Sequence, residues 1–257
     1  MCEIRYFQAF KREQSIEMRI CLPSIESTND YLKELSQNQE LDDFGLVWTK
    51  DQTKGRGQRN KRWFGESGKN LYCSFFLKPH FIKPEQQFQL VTLASLAIRE
   101  TLQRFLTDPV RIKWPNDIFI GQKKITGILI ENSIQAGRIE ESIIGFGVNI
   151  NQIDFPEEGI TSLQLELQQE INIEDVLALL IQNLKSLFSS LKESRDLSEE
   201  YLKYLIGYKQ GIQIMHEGQL LEGEISSLRD DGCIVFTTEQ GISTFCSGEI
   251  NFLRSSF

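Results

Sequence analysis

The chain has 257 residues, 40% of them hydrophobic and 25% charged, with a formal net charge of −8. That length can bury one large core, or a large and a small one, and the acidic balance argues against a general nucleic-acid binder, which needs a broad cationic surface. Five cysteines and two histidines without a C-x-x-C pair support neither zinc ligation nor a disulfide framework. No apolar run is long enough to span a membrane and the start has no signal-peptide order, so a reducing cytoplasmic location is expected.

The N-terminal stretch to about residue 22 alternates around Ile16, Met18 and Ile20, as an edge strand does, and is too short for a helix-turn-helix module. Ser27-Thr28-Asn29-Asp30 reads as a helix start, with Ser27 accepting from the first turn and Tyr31, Leu32 and Leu35 on a buried face. Short strands are predicted at 45–49 and 71–77. Between them, residues 49–63 place six cationic side chains and two glycines in one turn-rich segment. Gly55 and Gly57 let backbone N–H groups approach a ligand, Arg56 and Arg59 offer planar donor forks, and Trp63 adds an aromatic face. Such a loop either binds an anion or is merely solvated.

Apolar positions from Phe88 to Phe105 recur at helical spacing, which predicts a core helix over 84–106 with Pro84 in its first turn. Val110 to Trp114 alternates strictly, so Arg111 and Lys113 share a face that is either solvent-exposed or frames a polar site with Trp114-Pro115-Asn116-Asp117. Strands are predicted at 117–120 and 124–132, the latter in a hairpin with 143–149, which gives antiparallel pairing. Gly127 interrupts a strand that reads as buried on both faces, so it marks either a bulge or a close approach by a ligand or another backbone. Asn149 and Asn151 point the same way and either pair with a purine edge or satisfy turn backbone.

An amphipathic helix is predicted from Ile173 to Lys192, with a coiled coil the weaker alternative. After Tyr208 the pattern changes to short strands with an Asp231-Gly232 hairpin turn, and about fifty residues suffice for a small barrel. Neither a P-loop nor a G-x-G-x-x-G fingerprint is present.

Taken in order, Ser-Thr-Asn at 27–29, Gly-Arg-Gly-Gln-Arg-Asn-Lys-Arg-Trp at 55–63, Lys-Trp-Pro-Asn-Asp at 113–117, Lys-Ile-Thr-Gly-Ile-Leu-Ile-Glu at 124–131 and Gly-Val-Asn-Ile-Asn at 147–151 resemble the biotin protein ligases. Ser247-Gly248-Glu249-Ile250 is similar to that family's small C-terminal domain, so the resemblance spans Leu22 to the end. It implies an α+β fold of the class II aminoacyl-tRNA synthetase-like biotin/lipoate ligase type, with a mixed, largely antiparallel sheet flanked by helices. A ligase domain over 1–206 and an SH3-like β-barrel over 207–257 go with it.

The activity implied has two steps: biotin attacks the α-phosphate of ATP, and a lysine of a biotin carboxyl carrier protein then takes the biotin from the adenylate. The carrier belongs to acetyl-CoA carboxylase or another biotin-dependent carboxylase. By resemblance, Ser27, Thr28, Asn29, Gln52, Gly55, Arg56, Lys124 and Gly127 contact biotin. Arg56, Gln58, Arg59, Lys61, Trp63, Lys113, Asn116, Asn149 and Asn151 contact ATP or the adenylate. Arg56, Lys113 and Lys124 act on the chemistry, and magnesium arrives with the nucleotide, Asp117 being at most an indirect partner. Gln58 stands where several relatives have arginine, and Asn60 where many have glycine. Neither DNA nor a membrane is an expected partner, and dimerisation near 138–148 is an option. The rivals are a lipoate ligase or octanoyl transferase, a biotin-responsive repressor, and a silent binding module on the same fold.

Overall fold

The computed structural model describes residues 18–253, so Cys2 and Ile16 lie outside the described residues. In chain order the elements are β1 (Arg19–Leu22), α1 (Thr28–Asn38), β2 (Gly45–Thr49), β3 (Leu71–Leu77), α2 (Phe88–Gln103), β4 (Val110–Lys113), β5 (Asp117–Ile120), β6 (Lys123–Gln135), β7 (Arg138–Val148), α3 (Leu163–Leu167), α4 (Ile173–Lys192) and α5 (Ser198–Tyr204). Five strands follow: β8 (Ile212–His216), β9 (Gln219–Leu228), β10 (Ile234–Thr238), β11 (Gly241–Phe245) and β12 (Ile250–Phe252). This is an α+β chain with mixed, mostly antiparallel sheets flanked by helices. It forms two compact units, one reaching to Pro84 and including Ile125–Ile181, the other made of Glu85–Lys124 and the chain from Gln182 on.

In the first unit the strands run β1-β2-β3-β7-β6, with β1 parallel to β2 and the remaining pairs antiparallel. Every residue of β3 is buried, as its aromatic-rich sequence requires of a strand covered on both faces. Helix α1 lies against β2, β3 and β7. It starts where the sequence places it, with Ser27 Oγ accepting from Asp30 N at 3.3 Å. Its buried Leu32 joins Ile20, Leu41, Val47, Phe76 and Ile143 in a hydrophobic cluster, so α1 anchors the Ser27–Asp30 turn against the sheet.

In the second unit Pro84–Gln86 forms a separate 3₁₀ turn, and the predicted core helix begins only at Phe88 and ends at Gln103. Strand β4 buries Val110 and Ile112 and leaves Arg111 and Lys113 half-buried, the alternation its sequence predicts. It pairs with β5 through the turn Trp114-Pro115-Asn116, whose Trp114–Pro115 peptide is cis. Two side chains tie this turn down. Trp114 Nε1 donates to Gly232 O at 2.9 Å and Tyr201 OH donates to Pro115 O at 2.7 Å. Burial, and then Asp117, push the Tyr201 hydroxyl well above its ordinary pKa, so it remains a donor. Phe88 meets the Tyr201 ring edge-on at 5.7 Å.

Two expectations are corrected here. The five C-terminal strands form a sheet in the order β11-β10-β9-β8-β12, which is not closed, so the SH3-like β-barrel is absent. Closure would need β11 to pair with β12. Instead the turn at Cys246–Glu249 carries the chain across the sheet to β8, and β11 remains an edge with residues 241–244 exposed. Strand number and length cannot anticipate this, because closure depends on tilt and stagger. The second correction is that Cys233 and Cys246 form a disulfide. The β10–β11 register pairs Ile234 with Phe245, which sets the two flanking cysteines opposite each other, a juxtaposition that a cysteine count does not contain. Cys21 and Cys73 are free thiols, and burial pushes the Cys73 thiol far up, leaving it unreactive. Among the described residues no helix is long and apolar enough to cross a membrane.

Candidate functional site

The cationic segment between β2 and β3 folds back on itself. Trp63 N donates to Gly55 O at 3.0 Å and Gly57 N to Lys61 O at 2.7 Å, with a bridge between Arg56 and Arg62, so residues 55–63 make a small hairpin. Its tip is the 3₁₀ turn Gln58–Asn60, with Arg59 left-handed at φ 55°, a conformation that disfavours most side chains. Gln58, Arg59 and Lys61 are exposed there, Gly55 is buried, and a Cβ on Gly55 would overlap the Trp63 carbonyl.

Below the hairpin lies a polar cradle. Gln52 Oε1 accepts from Thr28 N at 2.9 Å and from Thr28 Oγ1 at 3.2 Å. Ser74 Oγ lies 2.7 Å from Thr28 Oγ1 and 2.6 Å from Asn29 Oδ1. Asn29 Nδ2 donates to Glu131 Oε2 at 2.8 Å. Thr28, Asn29 and Ser74 are all buried, and Gly145 is what admits Asn29, since a Cβ there would overlap its Oδ1. Ser27, expected among the biotin contacts, is buried as the α1 cap.

Arg56 Nη2 pairs with both Asp30 Oδ1 and Glu131 Oε2, the latter at 2.9 Å. Burial pulls the guanidinium pKa down, but Glu131 and then Asp30 outweigh it, and the net shift is upward. Both pairs use Nη2, so the Nε–H and the Nη1 N–H groups donate to neither carboxylate. Those N–H groups are the guanidinium donors left for an anion.

At Gly127 the structure shows neither a bulge nor an approaching backbone, but a side chain packed against the strand. Gly127 and Gly147 are register partners with no bulge between the strands there, and the indole of Trp63 lies over both. A Cβ on Gly127 would sit 2.5 Å from Trp63 Cζ3, and one on Gly147 2.6 Å from Cε2. Gly127→Ala is therefore expected to displace the indole and lower stability by about 1–3 kcal/mol, as overpacking does. Urea unfolding measures it, and removing the indole as well with Trp63→Ala should recover part of the loss. An unchanged midpoint in Gly127→Ala would place the indole elsewhere in solution.

Asn149 and Asn151 have different surroundings despite their shared direction in sequence. Asn151 exchanges two hydrogen bonds with the backbone of Ile171, at 2.8 and 2.9 Å. Asn149 Nδ2 donates to Thr161 O at 3.1 Å, while its Oδ1 is buried without a hydrogen-bond partner among the described residues. An orphaned buried acceptor of this kind costs about 1–3 kcal/mol unless a ligand donor reaches it.

The remaining expected residues lie in the second unit. Lys113 Nζ is 5.3 Å from the Phe119 ring centroid and 5.9 Å from that of Phe252, a position over two aromatic faces. Asn116 is buried in the turn. Asp117 pairs with Lys124 at 2.6 Å, and among the described residues no group of three or more His, Cys, Asp or Glu side chains could hold a metal ion. The residues present therefore do not form a metal cage of their own. The residues that sequence reasoning missed are Ser74, Asp30 as an Arg56 partner, Glu131 and Gly145. Glu131 had one visible signal, a carboxylate placed directly after the apolar run Ile125–Ile130.

A family model described as "Biotin/lipoate A/B protein ligase family" matches residues 21–149. Among curated proteins, the bifunctional ligase/repressor BirA of Bacillus spizizenii is 29% identical over 258 aligned positions, covering 96% of this chain and 77% of that protein. The BirA of Escherichia coli is 33% identical over 168 positions, 64% of this chain and 51% of that one. Among solved structures, the biotin protein ligase from Aquifex aeolicus in complex with biotin and ATP is similar at a TM-score of 0.75 and 27% identity, covering 93% of this chain and 100% of that one.

Proposed function

The chain belongs to the biotin/lipoate A/B protein ligase family, and on that premise we propose that it is an ATP-dependent biotin ligase that forms biotinoyl-AMP and passes biotin to a lysine. The observation that carries this reading is the union, in one unit, of a buried amide-and-hydroxyl cradle with a guanidinium fork. Thr28, Gln52, Ser74 and Asn29 offer the donors and acceptors that a ureido ring needs, and Gly55 and Arg56 the N–H groups that a carboxylate needs. The Aquifex aeolicus relative is in complex with both biotin and ATP, which supports the same pair of substrates here.

In the first step a biotin carboxylate oxygen bonds to the α-phosphorus as the bond to pyrophosphate breaks. Two anions meet, so cations must stand where charge accumulates, and a charge-assisted hydrogen bond is worth about 1.5–3 kcal/mol. We assign that role to Arg56 and Lys113, with Arg59 and Lys61 contacting phosphates and Lys124 close to the mixed anhydride. Asn149 Oδ1, buried and unpartnered, suits the exocyclic amine of adenine, and Trp63 supplies an apolar wall. Magnesium, when bound, neutralises phosphate charge and enters with the nucleotide. Because Asp117 is paired with Lys124, it serves at most through an intervening water.

In the second step the amine of a carrier lysine attacks the acyl carbon, AMP leaves and the amine loses a proton. The acceptor is proposed to be a biotin carboxyl carrier domain. Self-association near β7 would use the faces of the β6–β7 pair, because β7 is hydrogen-bonded to β3 on one side and β6 on the other.

Calorimetric titration with biotin, then with ATP and magnesium, tests the proposal, with a parallel arm using lipoate. Biotin binding followed by stoichiometric pyrophosphate release supports it. Preference for lipoate, or no biotin-dependent pyrophosphate, rejects it.

A further inference from the structure

Arg56 is one positive group between two carboxylates, and the two are not equivalent. Asp30 is 54% exposed at the start of α1, whereas Glu131 is 27% exposed and stands on β6. An ion pair at the more exposed carboxylate is screened by water and exchanges readily, while the less exposed one keeps more of its strength. Glu131 is also oriented from behind. Its Oε2 receives both Arg56 Nη2 and the amide of Asn29, and Asn29 is buried between Ser74 and Gly145. A chain of hydrogen bonds thus runs from Gln52 through Thr28, Ser74 and Asn29 to Glu131 and ends on the guanidinium.

Resting on the biotin-adenylating reading above, we propose that Glu131 is the positioning residue for Arg56. It holds Nη2 and so fixes the plane and direction of the guanidinium, and Asp30 is the partner that yields its N–H to the substrate anion. The orientation matters because a fork aimed in advance needs no rearrangement when charge develops. It also gives Asn29 a second duty: its Nδ2 keeps the Glu131 carboxylate aimed while its Oδ1 accepts in the polar cradle.

The test is a double-mutant cycle on full-length protein, reading biotin-dependent ATP–pyrophosphate exchange, biotin affinity by calorimetry and the thermal midpoint. Glu131→Gln retains shape and an acceptor oxygen and removes only the charge. It is expected to lower kcat about fivefold with biotin affinity within about twofold, as for loss of a charge-assisted contact felt in the transition state. In an Arg56→Ala background the same substitution should change kcat by less than about 1.5-fold, because a residue acting through another has nothing left to position. Glu131→Asp, which keeps the charge but shortens the reach, should fall between Gln and the native residue. A full fivefold loss that persists without Arg56, or a biotin affinity that falls in step with kcat, overturns the assignment. A native enzyme with no exchange at all defeats the ligase reading itself, whereas native exchange with an unaffected Glu131→Gln defeats only the positioning role.

Discussion

Replacing Arg56 by alanine is expected to slow biotinoyl-adenylate formation by well over tenfold, which corresponds to more than about 1.4 kcal/mol of transition-state stabilisation. Two effects act in the same direction. The substitution removes the group proposed to receive the anion, and it leaves Asp30 and Glu131 without the guanidinium that joins them. Like charges at a partly desolvated site repel strongly, so the loss exceeds that of one surface ion pair. Stopped-flow pyrophosphate release checks this, and a normal rate in the variant would remove Arg56 from the chemistry.

Lys113→Ala is the second large effect, expected to reduce the rate of adenylation by at least about tenfold while changing biotin affinity by less than about twofold. The half-buried side chain projects from the face of β4 opposite Val110 and Ile112, and its ammonium rests over Phe119 and Phe252. The negative faces of the two rings attract the ammonium and help to hold it in place. Single-turnover kinetics beside calorimetry separate the two quantities. Equal losses in rate and affinity would reduce Lys113 to a binding group.

Much of the fold is legible because its signals are local. Ser27 followed by Asp30 is a cap three residues long, and the structure has it. The alternation of Val110-Arg111-Ile112-Lys113 appears directly as buried and half-buried positions, and the amphipathic stretch Ile173–Lys192 is a helix with those bounds. The short helices Leu163–Leu167 and Ser198–Tyr204 escaped notice, being less than two or only about two turns long, too short for a 3.6-residue period to repeat convincingly. Gly127 left open a bulge or a close approach by a ligand or another backbone, and neither it nor Gly147 shows in sequence that the ring of Trp63, from a hairpin elsewhere in the chain, lies there.

The sequence by itself determined the order of the motifs, the cationic hairpin's composition, the antiparallel β6–β7 pair and, through these, the family. Each depends on residue type and on periods of two or 3.6 residues, which side-chain direction along a strand or helix sets within a few positions. Tertiary structure decided that Glu131 and Asn29, 102 residues apart, meet, and that Arg56 closes on Glu131 across 75 residues. It also decided that Cys233 and Cys246 are joined and that the C-terminal sheet stays open. Those outcomes follow from strand register, helix docking and sheet twist, where one residue of slip turns a side chain to the opposite face, and no local pattern records that choice.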